Sequence, residues 1–187
     1  MKFTLAAGSM AALIASAASA DITVTLTNQT FAGFNFNQFV DYTTTNIVGT
    51  LTGASINVTL DASTSFTYAD DLCVYVDVLP LGTGGLLQIG GFSNLSAAQR
   101  YFWPNGGSSA PGTTSVGTVN LTSALAFSGN AAVDGTVWIG NGYGVAGTSG
   151  TWSGTVTLIG VDAVPVPAPG AMALLGVAGL AARRRRR

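Results

Sequence analysis

Ala54-Ser55-Ile56-Asn57-Val58-Thr59-Leu60 alternates apolar and polar residues without a break. A period of two puts Ile56, Val58 and Leu60 on one face of an extended chain and Asn57 and Thr59 on the other, which predicts a half-buried β-strand. The pattern returns at Ile22, Val24 and Leu26 around Thr23 and Thr25. It returns again at Leu72, Val74, Val76 and Val78 around Cys73, Tyr75 and Asp77, and at Val156 and Leu158 around Thr155 and Thr157. Shorter runs at 34–40, 86–89, 116–121 and 136–139 predict further strands. Turn clusters separate them at Gly82-Thr83-Gly84-Gly85, Asn105-Gly106-Gly107, Ser128-Gly129-Asn130 and Gly147-Thr148-Ser149-Gly150. Asn94 to Tyr101 reads as the one helical turn, capped by Ser96. Glu is absent and Lys is nearly so, while Thr, Val, Gly, Ser and Asn dominate, a composition for strands and turns rather than helices. The fold class is all-β, a β-sandwich or jelly roll.

Both ends of the chain have a different character. Lys2, the apolar run from Phe3 to Ile14 and the small-x-small sequence Ala18-Ser19-Ala20 before Asp21 follow the order of a secretory signal peptide. A signal helix over 1–20, cut between Ala20 and Asp21, is therefore expected. The other end reads VPVPAPGAMALLGVAGLAARRRRR over 164–187: a proline-rich hinge, a short apolar stretch and five arginines. An arginine block after an apolar segment stays on the cytoplasmic side and halts transfer, which assigns that role to Arg183, Arg184, Arg185, Arg186 and Arg187. Ala171 to Ala182 has 12 residues. As a helix it would extend about 18 Å against a hydrocarbon core of roughly 30 Å, too short for a stable span. Gly176 and Gly179 would let another helix approach it closely.

These three parts in this order resemble the PEP-CTERM sorting signal of Gram-negative bacterial envelopes. The motif is Pro167-Ala168-Pro169, between Val166 and Gly170, and Ala168 stands where that family usually has glutamate. The resemblance implies that the chain is the substrate of an exosortase, a membrane-embedded cysteine transpeptidase that cuts near the proline motif and transfers the protein to an envelope acceptor. The expected organisation is a signal peptide (1–20), a β-sandwich domain (21–163) and a sorting signal (164–187) ending in a short hydrophobic helix. A second resemblance is confined to about 20 residues. Ser65 to Val76 is similar to the Thr-Tyr-x-x-Asp-Leu strand of the jelly-roll P-domains that accompany some secreted proteases, and Trp152 to Leu158 is similar to their closing Gly-x-Trp strand. It implies a jelly roll without catalytic residues of its own.

The net charge of −1 hides an asymmetry. All eight acidic residues are aspartates, and Lys2 and Arg183 to Arg187 lie in the end segments, so Arg100 is the sole base of the central region. Eight aspartates against one arginine leave that region at −7, which repels phosphate backbones and excludes nucleic-acid binding.

The chain has no histidine, which removes Ser-His-Asp and Cys-His catalysis and the usual zinc sites. Asp70 and Asp71 form the best acidic pair. They are either calcium ligands, joined by a further loop aspartate, or a solvated turn before a strand. As neighbours in an extended chain they point to opposite faces and make no acid/base dyad without a turn. Cys73 is the single cysteine. Its parity opposes the valines of its own strand, which points to a second packed surface on that side. Phe31, Phe34, Phe36, Phe39, Trp103, Trp138, Tyr143 and Trp152 are assigned mainly to the core. Tyr143, in a glycine-rich loop, and Trp138 are the two candidates for stacking on a sugar ring.

The sequence thus describes a non-enzymatic exported protein of the cell envelope, cell surface or extracellular matrix of a Gram-negative-type bacterium, anchored transiently at the membrane by its tail. Its expected partners are an exosortase-type processing enzyme and exopolysaccharide. No cofactor is expected, calcium being the one exception considered. The alternative is a carbohydrate- or calcium-binding surface module of the same fold.

Overall fold

The computed structural model describes residues 21–77 and 84–166. The signal segment with Ala18 and Ala20, the motif from Pro167 to Gly170, the short apolar helix and Arg183 to Arg187 lie outside the described residues, as do Val78, Gly82 and Thr83.

The alternating runs form strands in two sheets. The first sheet holds β1 (Ile22–Ala32), β3 (Thr45–Thr64), β7 (Thr114–Ser128) and β9 (Ser149–Pro165) in the order β1-β9-β3-β7. All of its pairings are antiparallel. The second holds β2 (Phe36–Gln38), β4 (Leu72–Asp77), β5 (Leu87–Ile89), β6 (Gln99–Tyr101) and β8 (Thr136–Asn141) in the order β2-β8-β4-β5-β6. Only β5 and β6 run parallel there. One hydrophobic core takes Leu26, Val58, Trp152 and Leu158 from the first sheet and Leu72, Val74, Leu87 and Ile139 from the second. Fully burying a leucine or valine side chain is worth about 1.5–3 kcal/mol. The polar faces of the first sheet carry threonines in cross-strand pairs. Thr23 and Thr157 share a hydroxyl hydrogen bond of 2.7 Å, as do Thr30 and Thr151. That pairing accounts for a surface rich in threonine and poor in charge.

Four expectations are corrected. First, Asn94 to Tyr101 is not a helical turn. Asn94 Oδ1 accepts from the Ser96 N–H at 2.9 Å, Ser96 takes a φ of +60°, and Gln99–Tyr101 becomes β6. The asparagine side chain competes with helix for the same N–H. The short helix lies instead at α1 (Ala131–Asp134), capped by Asn130. Second, β7 runs well beyond 116–121, because it pairs with β3 from Thr114 to Ser128 around a register shift. Third, β4 is buried on both faces rather than one. Gln88 causes this. Its side chain donates to the carbonyls of Gly90 and Ser93 and accepts from the Leu95 N–H, holding the loop after β5 over the outer face of the sheet. Cys73, on that face, is fully buried, as its parity indicated. Fourth, the aromatics divide. Phe31, Phe39, Trp103 and Trp152 are core, whereas Phe34 is exposed and Phe36, Trp138 and Tyr143 are only partly covered.

β9 extends two residues past the boundary drawn at 163. Val164 and Pro165 oppose Asn46 and Thr45, and the Val166 N–H donates to the Thr44 carbonyl at 2.8 Å.

Candidate functional site

Ser65 and Phe66 follow β3 with φ of +53° and +64°, two successive residues in the left-handed region. The chain then reverses, and Ala69–Asp71 make one 3-10 turn before β4. The segment similar to a P-domain strand is therefore a turn followed by a strand. The turn separates Asp70 from Asp71. Asp71 is buried, whereas Asp70 is only partly so and its Oδ1 has no hydrogen-bond partner. Leu72, the first residue of β4, is fixed by the buried Trp103 indole, which donates to its carbonyl at 2.7 Å.

Asp71 is a hub. Its Oδ2 accepts the Tyr68 N–H at 2.7 Å and its Oδ1 accepts the Phe92 N–H at 2.9 Å. Its backbone carbonyl accepts from Gly142 at 2.8 Å, while that of Asp70 accepts from Gly91 at 3.0 Å. Three remote segments, 68–71, 91–93 and 141–143, thus converge on one residue. Gly91 and Gly142 let the last two touch. A Cβ on Gly142 would lie 2.6 Å from the Gly91 Cα and 2.9 Å from the Cys73 Cβ, so no side chain fits there. Ser93 closes the seam, its N–H donating to the Gly142 carbonyl and its hydroxyl to the Tyr143 carbonyl. The residues after the two glycines, Phe92 and Tyr143, consequently stand side by side. Their ring centroids are 5.7 Å apart and their planes meet at 77°.

The result is an open pocket of about 290 Å³ lined by Phe66, Tyr68, Asp71, Phe92 and Tyr143. Burial pushes the Asp71 carboxyl up to about 6, against the N–H groups of Tyr68 and Phe92, which favour its charged form. Burial raises the Asp70 carboxyl as well. It also raises the Cys73 thiol far above its ordinary range, which makes that sulfur a packing group and not a nucleophile. Arg100 lies behind the pocket wall. Its guanidinium donates to the carbonyls of Gly91 and Phe92 and sits 4.6 Å from the Phe102 ring centroid.

Of the residues singled out in the sequence, Asp71 and Tyr143 meet in this pocket. Asp70 and Trp138 do not line it. Trp138, on β8 opposite Gln38 and Tyr75, belongs to the other side of the second sheet from the core valines. A calcium cage is not assembled. Both Asp71 oxygens are taken by N–H groups, and among the described residues no group of three or more His, Cys, Asp or Glu side chains could hold a metal. Phe66, Tyr68 and Phe92 were missed. Their one signal in the sequence is a large ring set among small or polar residues, Ser65, Thr67 and Ala69 in one segment and Gly91, Ser93 and Asn94 in the other.

No protein-family model, curated protein or solved structure matches the chain.

Proposed function

We propose that the protein is a non-enzymatic, exported cell-envelope or extracellular-matrix protein. It is a β-sandwich of the jelly-roll kind carried between an export signal and a tail that an exosortase-type enzyme cuts. The observation that supports this reading is how the last described strand leads up to the proline motif. Among the described residues β9 pairs with β3 as far as Pro165, and the Val166 N–H donates to the Thr44 carbonyl, immediately before Pro167-Ala168-Pro169 in the sequence. Prolines lack the N–H that a sheet ladder needs, and they hold the chain extended. On this reading the processing motif leaves the domain as an accessible strand, with the apolar stretch and Arg183 to Arg187 holding it at the membrane until cleavage. The absence of histidine from the whole chain supports a non-catalytic role.

The test is the C-terminal mass of the protein recovered from its own envelope. A terminus between Pro167 and Gly170, with or without an added group, is expected. Recovery of chains that all end at Arg187 would overturn the sorting reading.

A further inference from the structure

The pocket around Asp71 has no part in sorting, and several of its features are not what folding alone favours. Phe66 and Phe92 are 75% and 74% exposed, side by side with the half-covered rings of Tyr68 and Tyr143. Clustered exposed rings mark binding surfaces more often than isolated ones do. Phe66 is also held at a φ of +64°, a conformation unfavourable for a bulky residue. At the base lies a carboxylate held only by neutral N–H groups. Arg100, the only base among the described residues, is engaged by carbonyls and by Phe102.

These features select the ligand by chemistry. A sugar presents many hydroxyls and needs free donors and acceptors around its rim. Here each Asp71 oxygen already accepts an N–H, Phe66 and Phe92 offer no polar atom, and only the hydroxyls of Tyr68 and Tyr143 remain among the lining side chains, too few for the rim of a sugar. A primary ammonium needs three acceptors for its N–H groups, and the pocket wall is mostly ring. A quaternary ammonium needs neither. Its charge is spread over methyl groups, it donates no hydrogen bonds, and ring faces attract it electrostatically. The perpendicular pair of Phe92 and Tyr143 forms a corner for such a rounded group. The volume sits at the small end of ligand pockets, which begin near 300 Å³. We propose that this pocket binds a quaternary ammonium group, with Phe66, Tyr68, Phe92 and Tyr143 as its walls and Asp71 as the counter-charge. The group can be carried by a free small molecule or by a choline lipid headgroup, and the proposal is independent of how the tail is processed.

The experiment titrates the full chain with choline, with tetramethylammonium, with the uncharged carbon isostere of choline and with glucose, following intrinsic fluorescence and ligand methyl line widths. Saturable binding of both cations is expected, at least about tenfold tighter than the isostere. Phe66→Ala and Phe92→Ala remove exposed rings without disturbing the core, and each is expected to weaken the cations by about tenfold. Asp71→Asn is expected to abolish the preference for charge. Equal binding of cation and isostere, saturation by glucose alone, or cation binding unaffected by both ring variants would each overturn the proposal. Co-sedimentation with phosphatidylcholine but not phosphatidylglycerol vesicles assigns the headgroup. Binding of free choline without vesicle association assigns the small molecule.

Discussion

The indole N–H of Trp152 donates to the carbonyl oxygen of Ala69 over 3.1 Å, from the middle of one sheet to the turn that precedes the other. Trp152 is fully buried against Phe31, with ring centroids 6.1 Å apart. With Trp103 on Leu72, two buried tryptophans hold the two ends of the segment that carries Asp70 and Asp71. The pocket geometry is therefore a consequence of core packing. Trp152→Phe keeps an aromatic ring but leaves a buried carbonyl unsatisfied. A loss of about 1–3 kcal/mol is expected, read as a lower urea midpoint at unchanged slope.

The Gly91–Gly142 contact can be tested separately from the core. Gly142→Ala forces two backbones apart at a point where no flexible side chain can yield. It should cost about 2–4 kcal/mol, within the range of overpacking, and should separate Phe92 from Tyr143. Gly107→Ala, where a Cβ meets nothing within 4 Å, is the matched control and should fall within about 0.5 kcal/mol of the parent. Equal midpoints for the two variants would show that the seam is loose.

Asp71 makes stability fall as pH rises. Its carboxyl holds a proton up to about 6 in the fold but releases it at 3.8 in the unfolded chain. Between those values the native state binds more protons, so its contribution is complete below 3.8 and lost as pH climbs through about 6. Asp70, raised by burial, adds to the same slope. Asp134 acts in the opposite sense. Its carboxylate accepts from the N–H groups of Ser128 and Asn130 and from the Ser128 hydroxyl, which lowers its proton affinity below the usual value, so its contribution disappears in acid. Urea midpoints measured from about pH 4 to about pH 7 should decline less steeply in Asp71→Asn than in the parent. An identical slope would mean that Asp71 is charged throughout.

Cys73 lies fully buried beside Gly142, at the seam where Gly142 meets Gly91 of the loop that Gln88 holds, with its thiol kept protonated by burial. A thiol reagent should leave the native protein unmodified and label one site per chain in denaturing urea. Gln88→Ala frees the loop after β5, and labelling under native conditions should then accelerate by at least about tenfold, because exposure by local opening follows the free energy of that opening.

The strands were legible wherever one face meets the core and the other meets water, as at Ile22–Leu26, Ile56–Leu60 and Val156–Leu158. β4 also read as a strand, and the parity of Cys73 pointed to a second packed surface, but what forms that surface did not read, because the loop after β5 is fastened by Gln88, a polar residue with no periodic signal. β7 was read short because Leu121 to Ala124 fall at a register shift, where alternation breaks down. Of the site, Asp71 and Tyr143 were legible as an unusual carboxylate and a loop aromatic. Phe66, Tyr68 and Phe92 were not, since only the left-handed turn at Ser65-Phe66 and the glycine seam bring such distant residues together.

β9 is flanked by β1 and β3 over Ser149 to Leu158, and from Ile159 to Pro165 it pairs with β3 alone. Tension on a tethered tail would therefore run along the strand axis and load in shear first the ladder with β3 and, from Leu158 inward, the ladder with β1 as well. The hydrogen bonds from Ser149 to Pro165 would share that load instead of opening one after another, as they would at a peeled edge. The last strand is placed to serve as a mechanical clamp, one that would resist force applied through the C-terminus better than force applied across edge strand β7.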